Sequence, residues 1–147
     1  MADHAHKQIR AAVVSRLTGL TTSGARVYAN RLAPLPDASL PSLLVTLDEE
    51  SAEMLTVHQP VAQSRELTLS VAAIAKATTA LDTTLDQMSK EVEIALAAGL
   101  TVGSQNLPVF YAGMSFEDEQ SDKPVGIKRL RFTIPYTAMS DAPDILT

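Results

Sequence analysis

The first part of the chain repeats apolar residues at the spacing of an amphipathic helix. Within residues 4–18, Ile9, Val13 and Leu17 recur every four residues and form one apolar stripe. Asp3 stands where the N-cap of this helix is expected. Burial of each large side chain contributes about 1.5–3 kcal/mol, so we predict that the helix packs this stripe against a sheet.

A second helix is predicted over residues 80–98. Its apolar face is formed by Leu81, Leu85, Met88, Val92 and Leu96. Thr79 begins a capping-box-like sequence, and Gly99 suits the position after the last helical turn. One helix of this length beside sheet-forming segments favours packing in the core of a domain over a coiled coil.

Five further segments are typical of β-strands. They cover residues 26–28, 43–47, 65–75, 109–117 and 126–136. In the third and fifth of them, apolar and polar residues alternate, which places one face of each strand on the core. Pro135 cannot donate a hydrogen bond to a neighbouring strand, so the last strand is expected to end at an edge or beyond the paired region.

The segments between these elements are polar or rich in proline. Residues 33–41 contain three prolines and are expected on the surface or along an edge. Residues 48–64 are interpreted as a polar connecting arm, and residues 118–124 as a long polar connection between the last two strands. Residues 140–147 show no pattern and are predicted to form a flexible C-terminal tail.

The predicted element order is therefore α-β-β-β-α-β-β. Strands interrupted by two helices indicate an α+β fold, with a mainly antiparallel sheet and the two helices packed on it. The chain has 147 residues and no internal repeat. We predict a single domain over residues 1–139, followed by the tail at 140–147.

The composition narrows the classes of function. The chain has no cysteine, which excludes a disulfide framework and a thiolate zinc site. Its formal net charge of −5 and aromatic content of 4% argue against a nucleic-acid-binding module. No apolar run approaches the roughly 20 residues of a membrane helix, and the start of the chain is polar. We expect a soluble, cytoplasmic protein without a membrane span or secretory signal.

Residues that could carry catalysis or hold a metal are sparse. No nucleophile elbow, phosphate-binding loop or dinucleotide-binding fingerprint occurs. His4 and His6 are two residues apart and do not face each other on a helix, while His58 lies in the polar arm. We therefore predict no catalytic residue, no metal and no cofactor, and we interpret the protein as a non-enzyme.

Charged residues are the remaining candidates for a functional surface. The basic candidates are Arg26, Arg31, Arg129 and Arg131. The acidic candidates are Glu49, Glu50, Glu117, Asp118 and Glu119. In one interpretation the acidic clusters are solvated loops, and the arginines serve solubility and protect a strand edge. In the other, the arginines of one copy of the chain contact the acidic loops of the next copy.

Several short phrases of sequence add to the element order. They are Ile9-Arg10-Ala11-Ala12-Val13, Gly24-Ala25-Arg26-Val27-Tyr28, Leu40-Pro41-Ser42-Leu43-Leu44-Val45, Glu66-Leu67-Thr68-Leu69-Ser70-Val71, Leu81-Asp82 and Thr133-Ile134-Pro135-Tyr136. In this order, over about residues 7–139, the chain resembles the tail terminator proteins of long-tailed bacteriophages, the family that includes the lambda minor tail protein U. None of the phrases is a catalytic signature.

The resemblance implies a structural virion protein of the tail or neck, assembled in the cytoplasm of a bacterial host. Such proteins form a ring, typically a homohexamer, that caps the tail tube, ends its polymerisation and presents the head–tail joining surface. The implied partners are the tail tube protein and the head–tail connector protein, and DNA passes through the lumen of the ring. Acidic loops that line this lumen would repel DNA and keep it sliding.

Two other functions stay open on the sequence. One is another head–tail connector or tail completion protein, which would form a ring of a different order. The other is a small-molecule-binding or enzymatic α+β domain, which would require a deep apolar pocket with convergent polar groups. The arm at residues 48–64 and the segment after Met139 also depart from the resemblance, and they bear on where partners dock.

Overall fold

The computed structural model describes residues 3–29, 40–76, 81–119 and 125–147. The helices are α1 (Ala5–Leu17) and α2 (Leu81–Ala97). The strands are β1 (Val27–Tyr28), β2 (Ser42–Met54), β3 (Ala62–Lys76), β4 (Leu100–Val102), β5 (Gln105–Leu107), β6 (Phe110–Glu119), β7 (Val125–Met139) and β8 (Ala142–Leu146). The α+β class, with two helices and a mostly antiparallel sheet, is confirmed. The predicted cap at Thr79, most of the proline-rich segment and residues 120–124 lie outside the described residues.

The main sheet has the strand order β1-β2-β3-β7-β6, and β8 pairs with the end of β7. Each of these pairs is antiparallel except β1 with β2, so the sheet is mixed in its detail. β4 and β5 form a separate small hairpin. The seven predicted elements are present, and β4, β5 and β8 are additional strands that the sequence pattern did not indicate.

Both helices pack against one face of the sheet, which we call the helix face. The predicted stripes are confirmed: Ile9, Val13 and Leu17 of α1 are buried, as are Leu85, Met88, Val92 and Leu96 of α2. They join the alternate residues of β3 and β7 in one core cluster. Leu81, the first residue of the predicted α2 face, is partly buried against the same core. The other side of the sheet, which we call the open face, carries a much smaller buried cluster of Leu44, Ala72 and Ile74.

The predicted polar arm at residues 48–64 is wrong. β2 continues to Met54 and β3 begins at Ala62, so most of the arm forms a long antiparallel hairpin with Ser51 opposite Glu66. The sequence suggested a loop because the residues here are mostly polar on both faces and, apart from the partly buried Glu50, exposed, which removes the alternation that marks a half-buried strand. Backbone pairing with β3 forms the strand although this alternation is missing.

Two smaller expectations are also corrected. His4, not Asp3, is the N-cap of α1, since its ring nitrogen accepts a hydrogen bond from the His6 backbone at 3.0 Å. Asp3 instead lies 3.3 Å from the Lys7 ammonium. The segment 140–147, expected as a patternless tail, contains β8, whose Leu146 lies opposite Ala138 of β7.

The turn after α1 is held by a carboxylate from α2. Glu91 accepts hydrogen bonds from the backbone and hydroxyl of Thr22 at 2.9 and 2.7 Å, and from Gln87 at 2.9 Å. Burial disfavours the charged form of Glu91, but these hydrogen bonds outweigh it and lower the pKa of the carboxyl group. The contact fastens the turn before β1 to α2.

Candidate interaction surfaces

A polar network joins the start of α1 to the two long strands β2 and β3. The carboxylate of Glu50 lies 3.0 Å from the Nε2 atom of His6 and 3.6 Å from the guanidinium of Arg65, and it accepts a hydrogen bond from the Tyr136 hydroxyl. Burial, with further contributions from His6 and Arg65, lowers the pKa of His4 beside it. Glu50 was predicted as a subunit contact, but its carboxylate lies on the helix face and binds within the chain.

From the position of Tyr136 in this network we predict how the free energy of unfolding changes at alkaline pH. Tyr136 is 5% exposed, and burial together with its hydrogen bond to Glu50 raises its pKa to about 12. Because the pKa of Tyr136 is raised in the folded state, the hydroxyl contributes to the free energy of unfolding. This stabilisation is complete below about pH 10, the ordinary pKa of tyrosine, and is lost as pH rises through about 12. We expect the free energy of unfolding to fall more steeply across this range for the wild type than for Tyr136→Phe.

Urea unfolding at fixed pH values between about 8 and 12 measures this difference. Tyr111→Phe is the matched control, because Tyr111 is 51% exposed and should leave the wild-type pH slope unchanged. Equal slopes for the wild type and Tyr136→Phe would show that Tyr136 has no altered titration.

Arg26 is also held by its own chain. Its guanidinium donates to the backbone carbonyls of Pro41 at 2.7 Å and Thr22 at 3.1 Å. It therefore fastens the start of β2 to the turn after α1, and a contact with another copy stays a prediction for this residue. Arg31 lies outside the described residues.

The open face carries the other two arginines on β7. Arg129 lies opposite Ser115 of β6 and is 3.9 Å from the carboxylate of Glu117. Arg131 lies opposite Gly113, and its guanidinium is 3.4 Å from the hydroxyl oxygen of Ser115. The structure thus brings the predicted residues Arg129 and Glu117 together within one chain.

The two acidic clusters lie on different strands, β2 and β6, towards opposite edges of the sheet. Glu49 and Glu50 belong to β2, while Glu117, Asp118 and Glu119 are the last three residues of β6. These acids lie in strands and not in the loops that the sequence suggested, because β2 and β6 extend beside their neighbours β3 and β7. Glu49 lies opposite Thr68 on the open face, and Glu50 lies opposite Leu67 on the helix face.

The sequence analysis did not identify a group of exposed apolar residues on β6, which we call the apolar row. Tyr111, Met114 and Phe116 lie on the helix face and Phe110 on the open face, and all four side chains are between 44% and 57% exposed. The available signal was their clustering: three of the six phenylalanine and tyrosine residues of the chain fall within residues 110–116. Exposed apolar rows of this kind mark protein contacts. A second apolar group, formed by Met54, Leu55 and Val57, is exposed at the end of the β2–β3 hairpin.

Signs of small-molecule chemistry are weak in the described part of the chain. A groove of about 290 Å³ lies beside the β2–β3 hairpin, and Glu53 is the one ionisable side chain in its lining. The described residues hold no group of three potential metal ligands. None of the helices described is both long and apolar enough to cross a membrane.

These features define a small α+β protein whose described surface offers sheet edges and apolar patches for contacts with other proteins. The sequence model of the phage minor tail protein U family matches residues 4–136. The chain belongs to this family, which confirms the resemblance found in the sequence. It is a structural protein of a phage tail and part of a virion, and this agrees with the interpretation as a non-enzyme.

Comparisons with other proteins add information on the fold. A chain in the virion of a native gene transfer agent particle is 20% identical, with a TM-score of 0.47, and the match covers 90% of this chain and 91% of that one. A second solved structure, of a protein known by a sequence number alone, is 15% identical with a TM-score of 0.57, and the match covers 88% and 95% of the two chains. This second likeness supports the fold. The search of curated proteins found no match.

Proposed function

We propose that this protein is a tail terminator. Copies of the chain form a ring, typically a hexamer, on the end of the finished tail tube. The ring blocks further addition of tube subunits and provides the surface that joins the tail to the head. The observation that carries this proposal is the match of residues 4–136 to the phage minor tail protein U family.

The described surface supports this role physically. A terminator needs separate contacts for its neighbours in the ring, for the tube and for the head–tail connector. The apolar row on β6 and the apolar end of the β2–β3 hairpin are two distinct exposed patches. An assembling protein with several partners requires such separate patches, since one surface cannot hold two partners at once.

The charges suit a ring through which DNA passes. Tight binding to the DNA backbone requires many lysine or arginine contacts to phosphate groups. The formal net charge of the chain is −5, so DNA is expected to pass through the lumen without specific binding. The arginines at 26, 31, 129 and 131, with the acids of the two clusters, remain the proposed residues of contacts between subunits.

Deletion of the gene from the genome that encodes the chain tests the proposal. Without a cap, tube subunits continue to add, so we expect tails that are longer than normal, variable in length and free of heads. Electron microscopy of the particles in the lysate measures tail length and head attachment. A plasmid copy of the gene should restore both, which controls for effects on neighbouring genes.

The other outcomes separate the alternatives. Tails of normal length without heads would contradict the terminator and favour a tail completion or head–tail joining protein. Normal, headed particles would contradict a role in either step.

A further inference from the structure

The main sheet has two unlike edges that are free among the described residues. β6 pairs with β7 on one side and with no described strand on the other. β1 pairs with β2 at Leu43 and Leu44, which leaves residues 45–54 without a described partner on that side. β6 is 10 residues long, and residues 45–54 of β2 match that length. Such edges readily accept a strand from another chain.

The β6 edge presents the positive charge of Arg131, because the neighbouring residue Gly113 has no side chain to cover it. Gly113 has a φ of +147°, and a Cβ atom built there would lie 3.4 Å from the guanidinium of Arg131. The guanidinium of Arg131 therefore reaches from β7 across to β6, over a position that has no side chain. It contacts the hydroxyl of Ser115 at 3.4 Å and no described carboxylate within ion-pair distance.

The other edge presents negative charges on the same face. Glu49 lies opposite Thr68, and Glu53 lies opposite Ser64, so both project on the open face of β2. Both residues are exposed. The part of the β6 edge near Gly113 thus carries the cation Arg131, while the acids Glu117 to Glu119 lie at the other end of the same strand. In an antiparallel pairing of two copies side by side, Arg131 meets the carboxylates of the β2 edge.

We propose that β6 of one copy pairs with residues 45–54 of β2 in the next copy, with Arg131 facing Glu49 and Glu53 of that neighbour. This contact rests on the proposed function, because it is the joint between neighbouring subunits of the terminator ring. It is heterologous: each copy uses two different edges, and such contacts close into a ring when the rotation between copies permits.

Strand direction agrees with this joint. β2, β3, β7 and β6 are successively antiparallel, so β6 runs opposite to β2. Copies related by rotation about an axis near the strand direction keep that direction, and β6 then meets the neighbour's β2 antiparallel. The open faces stay on one side, and the exposed Tyr111, Met114 and Phe116 lie beside the neighbour's helix face.

Engineered cysteines test the joint directly, because the chain has none of its own. Ser115→Cys marks the β6 edge and Ser51→Cys marks the β2 edge, both on the open face. Ser115 and Ser51 are diagonal neighbours in this pairing, so a short thiol-to-thiol cross-linker that spans about 7–8 Å replaces oxidation. After mixing and treatment of the assembled oligomer, or of purified particles, we expect cross-linked dimers of Ser115→Cys with Ser51→Cys. Thr68→Cys, on the same face of the central strand β3, is the control and should give at least tenfold less product with either partner.

Charge reversal provides a second readout in the same samples. Arg131→Glu should raise the dissociation constant between subunits at least tenfold, measured by the mass in solution at a series of concentrations. Adding Glu49→Arg and Glu53→Arg to Arg131→Glu should restore association. Failure to restore it, or cross-linking of Ser115→Cys with itself in preference to Ser51→Cys, would overturn the joint.

The outcomes distinguish this joint from the proposed function. If the oligomer and the particles give no cross-link while gene deletion still produces overlong tails, the terminator stands and this edge pairing is wrong. If the cross-link forms while deletion leaves tail length and head attachment unchanged, the pairing stands and the terminator is wrong.

Discussion

Leu85→Asp is expected to abolish cooperative folding. Leu85 is 1% exposed, belongs to the buried stripe of α2 and lies in the core between helix and sheet. The change removes a buried apolar side chain, which costs about 2–5 kcal/mol by itself, and it places an unpaired carboxylate in an apolar site. A total above about 5 kcal/mol is comparable with the whole free energy of unfolding of a small domain.

Ile94→Asp is the matched control for this prediction. Ile94 lies on the same helix but is 65% exposed, so the same aspartate there should change the free energy of unfolding by no more than about 0.5 kcal/mol. Circular dichroism with urea unfolding compares the two variants with the wild type. A folded Leu85→Asp protein with a cooperative transition would show that α2 packs another face.

Glu50→Ala is expected to cost about 2–4 kcal/mol. The carboxylate is the common partner of His6, Arg65 and Tyr136. The side chain of Arg65 is only 12% exposed, so it would keep its charge in a partly buried site without its counter-ion. Removal of one partner of a buried ion pair is costly for this reason, more than the loss of the attraction alone.

A double-mutant cycle with Arg65→Ala measures this coupling. We expect the double variant to be about 1–2 kcal/mol more stable than the sum of the single changes predicts, since it leaves no unpaired charge. Glu66→Ala, at an exposed position on the open face of β3, is the control and should be near neutral. Additive effects would show that Glu50 and Arg65 do not interact.

Features that depend on short-range patterns were predictable from the sequence, and features that depend on distant strands were not. The apolar stripes of α1 and α2 and the alternation in β3 and β7 were readable, because each follows from the local periodicity of a helix or strand beside a core. The hairpin at residues 48–64 was misread as an arm, because a strand with polar residues on both faces has no such periodicity.

The candidate site was only partly predictable. The sequence placed Arg129 and Arg131 on the face of a strand opposite the core residues, as β7 shows, but it indicated neither their partners nor that Glu49 and Glu50 lie in a strand. Glu49 and Glu50 were indistinguishable in the sequence. A register shift after Leu47 places the first on the open face and the second in the polar network. Register depends on the neighbouring strand and is therefore not a local property.

The sequence by itself determined the class of fold, the buried faces of the helices and central strands, and the family resemblance, because each is encoded in short-range patterns. The tertiary structure decided which edges of the sheet stay free, that Arg131 reaches over Gly113 to one of them, and that Glu50 joins residues 44 and 86 positions away, His6 and Tyr136. These contacts depend on which distant strands become neighbours, and backbone pairing and core packing over the whole chain set that order.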